Sequence, residues 1–198
     1  MDNPQKKIYL QKIGEIDSKI LKDLKKGLRK KFEKFDLSVI VPEKSLPLLE
    51  SEYNVSRKQY DGSKIINRLL DYSMTNQYFR TLGVLDKDIY SNGLNFVFGI
   101  ATPPNNEITR NFGVSIISTI RLREEFYDHV HNDELFSIRT LKEAVHELGH
   151  TFGLKHCNNY CIMRFSNYLG HTDEKPVDFC DACSEQISFF LDNMNFKK

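Results

Sequence analysis

The string His146-Glu147-Leu148-Gly149-His150-Thr151-Phe152-Gly153-Leu154-Lys155-His156 constrains this chain more than any other feature. Four helical residues turn through about 400°, so on a helix His146 and His150 project from one face, a turn apart, and can grip one ion. Glu147 follows the first histidine and lies beside such an ion, where it can take a proton from an activated water. Gly153 can adopt a positive φ, end the helix and turn the chain sharply. His156, just beyond, then supplies a third nitrogen. Three neutral nitrogens with one position left open make a catalytic zinc site rather than a closed structural one. The competing interpretation is a set of core histidines satisfied by hydrogen bonds. HExxH alone arises by chance in roughly one in two hundred chains of this size, and the glycine and third histidine lower that by roughly several hundredfold more.

The rest of the chain reads as alternating strands and helices. Residues 8–13 form a first strand. Asp17 or Ser18 caps a helix whose apolar stripe is Ile20, Leu21, Leu24, Leu28 and Phe32. Its opposite side carries Lys25, Lys26, Arg29, Lys30 and Lys31, which reads as a solvated face before a nucleic-acid patch. Residues 37–41 give a second, β-branched strand, and the pattern so far is a right-handed βαβ unit. Residues 42–60 read as a loop, and Asp61-Gly62-Ser63 caps a helix with Ile65, Ile66, Leu69, Leu70 and Met74 inside. Strands follow at 80–85, 94–101 and 112–117, the last two joined by a turn-rich hairpin loop containing Pro103 and Pro104. Residues 121–137 are charged and loop-like. The helix of the histidines starts near Ser137 or Thr140, where Thr140-Leu141-Lys142-Glu143 has the form of a capping box, and Leu141, Val145, Leu148 and Phe152 face the sheet. A last helix spans about 184–194, with Ile187, Phe190, Leu191 and Met194 inside. No repeat or second core is visible, so one domain over 1–198 is expected, with its metal-binding part at about 137–198.

Composition excludes more than it assigns. A net charge of +1 over 198 residues gives no field for nucleic acid or anionic membrane. Residues 1–12 lack the apolar core of a signal peptide, and no apolar run approaches the ~18–20 residues that cross a bilayer. A cytoplasmic monomer is expected, with no nucleic-acid and no membrane partner. All four cysteines lie in the last quarter as two close pairs, Cys157/Cys161 and Cys180/Cys183. In a reducing compartment such pairs read as a tetrahedral structural zinc site, with redox chemistry at the second pair or free thiols as alternatives.

HExxHxxGxxHC, then Cys161-Ile162-Met163, then CxxC resembles the archaemetzincins, metzincin peptidases with a second, cysteine-bound zinc. Leu94-Asn95-Phe96-Val97-Phe98-Gly99 and Arg121-Leu122-Arg123 are similar to segments ahead of that family's zinc helix. The likeness is clear over about the last 120 residues and rests on the βαβ pattern before them. Three residues separate Cys157 from Cys161 where the family usually has four, and the interval from Met163 to Cys180 is one shorter.

The resemblance implies an α/β (α+β) metzincin-like domain with a mixed, mostly parallel five-stranded sheet, a backing helix and the zinc helix. Its fourth strand would be an antiparallel edge strand above the cleft, here residues 95–101, able to receive a peptide by backbone pairing. A strand buried on both faces is the competing interpretation, since Phe96, Val97 and Phe98 are consecutive apolar residues. Met163 would form the Met-turn beneath the metal. Two zinc ions per chain follow: a catalytic one on His146, His150 and His156, and a structural one on Cys157, Cys161, Cys180 and Cys183. The implied reaction is peptide hydrolysis by a zinc-activated water with Glu147 as general base. Aminopeptidase and endopeptidase action both stay open, and so does a zinc-stabilised peptide-binding protein without catalysis. Some metzincins place a tyrosine two residues after the Met-turn methionine as a fifth ligand; Tyr160 and Tyr168 do not stand there and read as surface or pocket-wall residues. His171 reads as exposed before a substrate contact, Lys155 as solvated before a partner of a substrate carboxylate, and His129 and His131 as residues without a metal role.

Overall fold

The computed structural model describes residues 5–194 and 196. The strands are β1 (Gln5–Lys12), β2 (Ser38–Ile40), β3 (Tyr53–Asn54), β4 (Gln59–Asp61), β5 (Tyr78–Leu85), β6 (Ile89–Tyr90), β7 (Gly99–Ala101) and β8 (Gly113–Ser118). The helices are α1 (Ser18–Phe32), α2 (Gly62–Thr75), α3 (Glu107–Asn111), α4 (Asp133–Thr151), α5 (Leu169–Glu174) and α6 (Asp181–Asp192). The main sheet has five strands in the order β2-β1-β5-β8-β7. The first four run parallel, and β7 is antiparallel to β8 at the edge. The mixed, mostly parallel sheet expected from the resemblance is therefore present. No helix among the described residues is long and apolar enough to cross a membrane.

Alternation along the strands divides the interior. Ile8, Leu10, Leu82, Val84 and Ile117 meet the apolar stripe of α1 and the inner side of α4 on one face of the sheet. Val114 and Ile116 meet Ile65, Ile66 and Leu69 of α2 on the other. Both early helices start where the sequence places them: Asp17 accepts from the Lys19 N–H, and Asp61 from the N–H groups of Ser63 and Lys64.

Several sequence expectations give way. Residues 42–60 are not one loop: β3 and β4 lie there, and with β6 they make a second, three-stranded sheet. The strand expected over 94–101 narrows to Gly99–Ala101. The preceding residues leave the main sheet, with Val97 N–H donating to Ile89 O and Arg57 and Gln59 holding the carbonyl of Asn95. The hairpin loop contains α3, capped by Asn106. The helix of the histidines starts at Asp133, capped by Asn132, a full turn or more before the expected start. Thr140 is no cap: its hydroxyl donates to Phe136 O within the helix. Leu141 lies against Gly27 of α1, not the sheet.

The edge strand sets the upper border of a cleft. Ser118 N–H donates to Phe98 O and Thr102 N–H to Val114 O. Backbone groups at 98, 100 and 102 thus face β8, and those of Gly99 and Ala101 point the other way.

Candidate metal centre

Helix α4 carries His146, Glu147 and His150 beneath that edge. Its end is a tight cap: Gly153 N–H donates to His150 O and Leu154 N–H to Gly149 O, with Gly153 at φ +90. The reversal brings His156 back to the helix. One ring nitrogen from each of His146, His150 and His156 lies within 4.8 Å of the others, so the three could hold one ion.

The tautomers follow from their partners. His146 Nδ1 stands 2.9 Å from Ile162 O and His150 Nδ1 2.7 Å from Leu154 O. A carbonyl only accepts, so both Nδ1 atoms carry the proton and both Nε2 atoms present lone pairs. Those two Nε2 atoms are 3.1 Å apart. Two lone pairs aimed at one point repel unless a cation lies between them, and this donor set suits zinc. Burial holds all three imidazoles below their ordinary range, with the charge of Lys175 adding to it, so they stay neutral and ready to ligate.

Glu147 is buried beside them. Burial, with the charge of Glu143 a turn earlier, pushes its carboxyl up to about 8, and Lys175 pulls the other way. A divalent ion at the three nitrogens adds positive charge and lowers it again. Gly99 of β7 lies directly on this carboxylate: a β-carbon there would stand 2.5 Å from Glu147 Cγ.

Met163 is fully buried under the helix, its sulfur so close to Gly149 that a β-carbon there would stand 2.4 Å away. The position two residues on is Phe165, whose ring centre is 4.8 Å from that of His156. Tyr160 and Tyr168 are exposed outside the cleft, and Tyr168 packs on His171. Lys155 is exposed and does not line the cleft. His129 and His131 pair with Glu124 and Glu125 on the surface.

The four cysteines converge a few residues away. Their sulfurs lie within 4.8 Å of one another, and the thiols are free. Cys157 and Cys180 Sγ are 3.8 Å apart, far beyond a disulfide. That is the edge of a tetrahedron with sulfurs about 2.3 Å from a central zinc. The Met163 and Cys180 N–H groups both donate to Cys161 Sγ, at 3.4 and 3.3 Å. Burial raises the Cys161 and Cys183 thiols. At Cys180 the same effect is outweighed by the Cys183 N–H and Asn159, which bring it down to about 7. The short Cys157–Cys161 spacing does not prevent convergence. The clusters are joined twice: Cys157 follows His156 directly, and Ile162, between Cys161 and Met163, supplies the carbonyl that orients His146.

A buried ion pair escapes sequence reasoning. Lys175, 2% exposed, lines the cleft with its ammonium 3.2 Å from Glu143 Oε1. Its segment is bound to α4 by Arg139 on Asp173, Lys142 on the carbonyls of Thr172 and Asp173, and Thr172 Oγ1 on Glu143. Helical spacing places Glu143 on the face of Glu147 and so signals it; nothing local signals Lys175. The cleft, about 470 Å³, contains the three histidines, Glu147, this pair, Gly99 and Phe165.

The sequence model of peptidase family M54 matches residues 10–188. The archaemetzincin of Pyrococcus furiosus is 36% identical over 182 residues, 91% of either chain. Among solved structures, archaemetzincin from Archaeoglobus fulgidus complexed with malonate superposes with a TM-score of 0.73 at 37% identity, covering 91% of this chain and 99% of that one. A zinc-dependent peptidase from Methanocorpusculum labreanum does so with a TM-score of 0.77 at 28% identity and the same coverage.

Proposed function

Because the chain belongs to peptidase family M54, the archaemetzincins, and is a zinc metallopeptidase, we propose that it cleaves peptide bonds internally, with His146, His150 and His156 holding the catalytic zinc and Glu147 acting as general base. The observation that carries this reading is the convergence of two Nε2 lone pairs at 3.1 Å beside a buried carboxylate. Zinc, when bound, supplies Lewis acidity to a water and to the scissile carbonyl. Glu147 takes the proton from the attacking water and hands it to the leaving amine. The outward backbone groups of Gly99 and Ala101 hold the substrate as an added strand. Cys157, Cys161, Cys180 and Cys183 bind the second, structural zinc, and Met163 forms the floor under the first.

Endopeptidase action is favoured over amino-terminal trimming by the ion pair. An aminopeptidase needs a free carboxylate to anchor the substrate amine, and the Glu143 carboxylate is already engaged by Thr172 and Lys175. The reading includes a cytosolic monomer without nucleic-acid or membrane partners, in keeping with four cysteines that form no disulfide and a net charge of +1.

Elemental analysis of wild type and His150→Ala, with peptide cleavage assayed in parallel, tests the proposal. Two zinc ions falling to one with loss of cleavage supports it. One zinc in both proteins rejects the histidine site, and two zinc ions without cleavage of any peptide favours a binding protein.

A further inference from the structure

Phe165 is 58% exposed although it adjoins a metal ligand, and it lines the cleft. A ring of that size in water leaves apolar area uncovered, and such area at the mouth of a site marks a binding surface. The opposite rim is apolar as well. Phe96 lines it with the Arg121 guanidinium 4.1 Å from its ring centre, and two 2.6 Å bonds to Asp88 pin that guanidinium. Phe98 packs edge-on against Phe96, so this rim is rigid. Leu94, 55% exposed, extends it. The charged groups lining the cleft are Glu143, Glu147 and Lys175, all buried, and two of them are paired with each other.

A peptide paired with the outer groups of Gly99 and Ala101 therefore meets aromatic and aliphatic surface on entering the cleft. We infer that Phe165 is a specificity-determining residue: it packs against an aromatic or bulky apolar side chain of the substrate residue next to the cleaved bond. The inference rests on the peptidase reading and adds the class of side chain selected.

The test uses zinc-loaded full-length protein and peptides identical except for Phe or Ala beside the cleaved bond. Wild type should prefer the Phe peptide in kcat/KM by about 10- to 100-fold, the span that contacts in an apolar pocket yield. Phe165→Ala should bring the two peptides within about threefold, chiefly through KM, and Phe165→Leu should retain most of the preference. The same ratio should appear in dissociation constants measured calorimetrically with Glu147→Gln, and should vanish when Phe165→Ala is added. An unchanged preference in Phe165→Ala, an equal loss for both peptides, or no preference in wild type would overturn the inference. If wild type cleaves neither peptide, the hydrolytic reading fails, and the dissociation constants still decide the role of Phe165.

Discussion

Gly99 and Glu147 are in direct contact across the cleft: a β-carbon on Gly99 would stand 2.5 Å from Cγ and 2.8 Å from Oε1 of the glutamate. The strand proposed to receive a peptide and the carboxylate proposed to take the proton thus share one surface. Gly99→Ala must displace one or the other. We expect kcat/KM to fall by at least about tenfold, chiefly in kcat, because small misplacements of reacting groups are costly. Zinc content should stay at the wild-type value, and its loss would mean that the substitution acts on the ligands instead.

Glu147 also makes the metal-free protein sensitive to pH. Its carboxyl rises from an ordinary 4.5 to about 8 on folding. Below 4.5 it is protonated in both states and costs nothing. Between 4.5 and 8 the unfolded chain ionises while the folded one keeps its proton, so stability falls by about 1.4 kcal/mol per pH unit. Above 8 the loss is complete. Glu147→Gln removes this contribution, so in urea titrations of zinc-free protein it should match wild type near pH 4 and exceed it by roughly 4–5 kcal/mol at pH 8. A constant difference across that range would contradict the assignment.

The two metal clusters should fail together in one direction. Cys183→Ser removes a buried member of the sulfur cluster and frees the segment that aims His156 and, through Ile162 O, His146. Elemental analysis should then find less than one zinc per chain, since losing an orienting partner costs about 10- to 100-fold in metal affinity at the other site. His150→Ala should lose only the catalytic ion. One full zinc in Cys183→Ser would show that the clusters are independent.

Lys175 can be separated from its partner by a double-mutant cycle. Lys175→Met leaves the buried Glu143 carboxylate without its cation and should cost about 3–5 kcal/mol in stability. Adding Glu143→Gln removes the stranded charge and should recover most of that loss. Additive losses in urea unfolding would show that the pair is not coupled.

What the sequence disclosed depended on whether a signal was local. The α1 stripe of Ile20, Leu21, Leu24, Leu28 and Phe32 is periodic, and every member is buried. The histidine spacing lies within one helix and its cap, and the cysteine pairs within two short turns, so both clusters were legible. β3, β4 and β6 are two or three residues long, too short for alternation to set them apart from loop. Thr140 to Glu143 imitates a cap and so obscures the start of α4, while Asn132-Asp133-Glu134 carries the real signal of a cap followed by an acidic first turn. The Lys175–Glu143 pair comes from separate elements, and no spacing rule predicts it.

The peptide bond between His156 and Cys157 gives this enzyme a schedule. Synthesis delivers the HExxH helix first and Cys180 and Cys183 last. A half-made chain has its first two imidazoles before the pair of thiols that completes the four-sulfur cluster beside His156. The four-sulfur cluster is complete only once α6 brings Cys180 and Cys183 to Cys157 and Cys161.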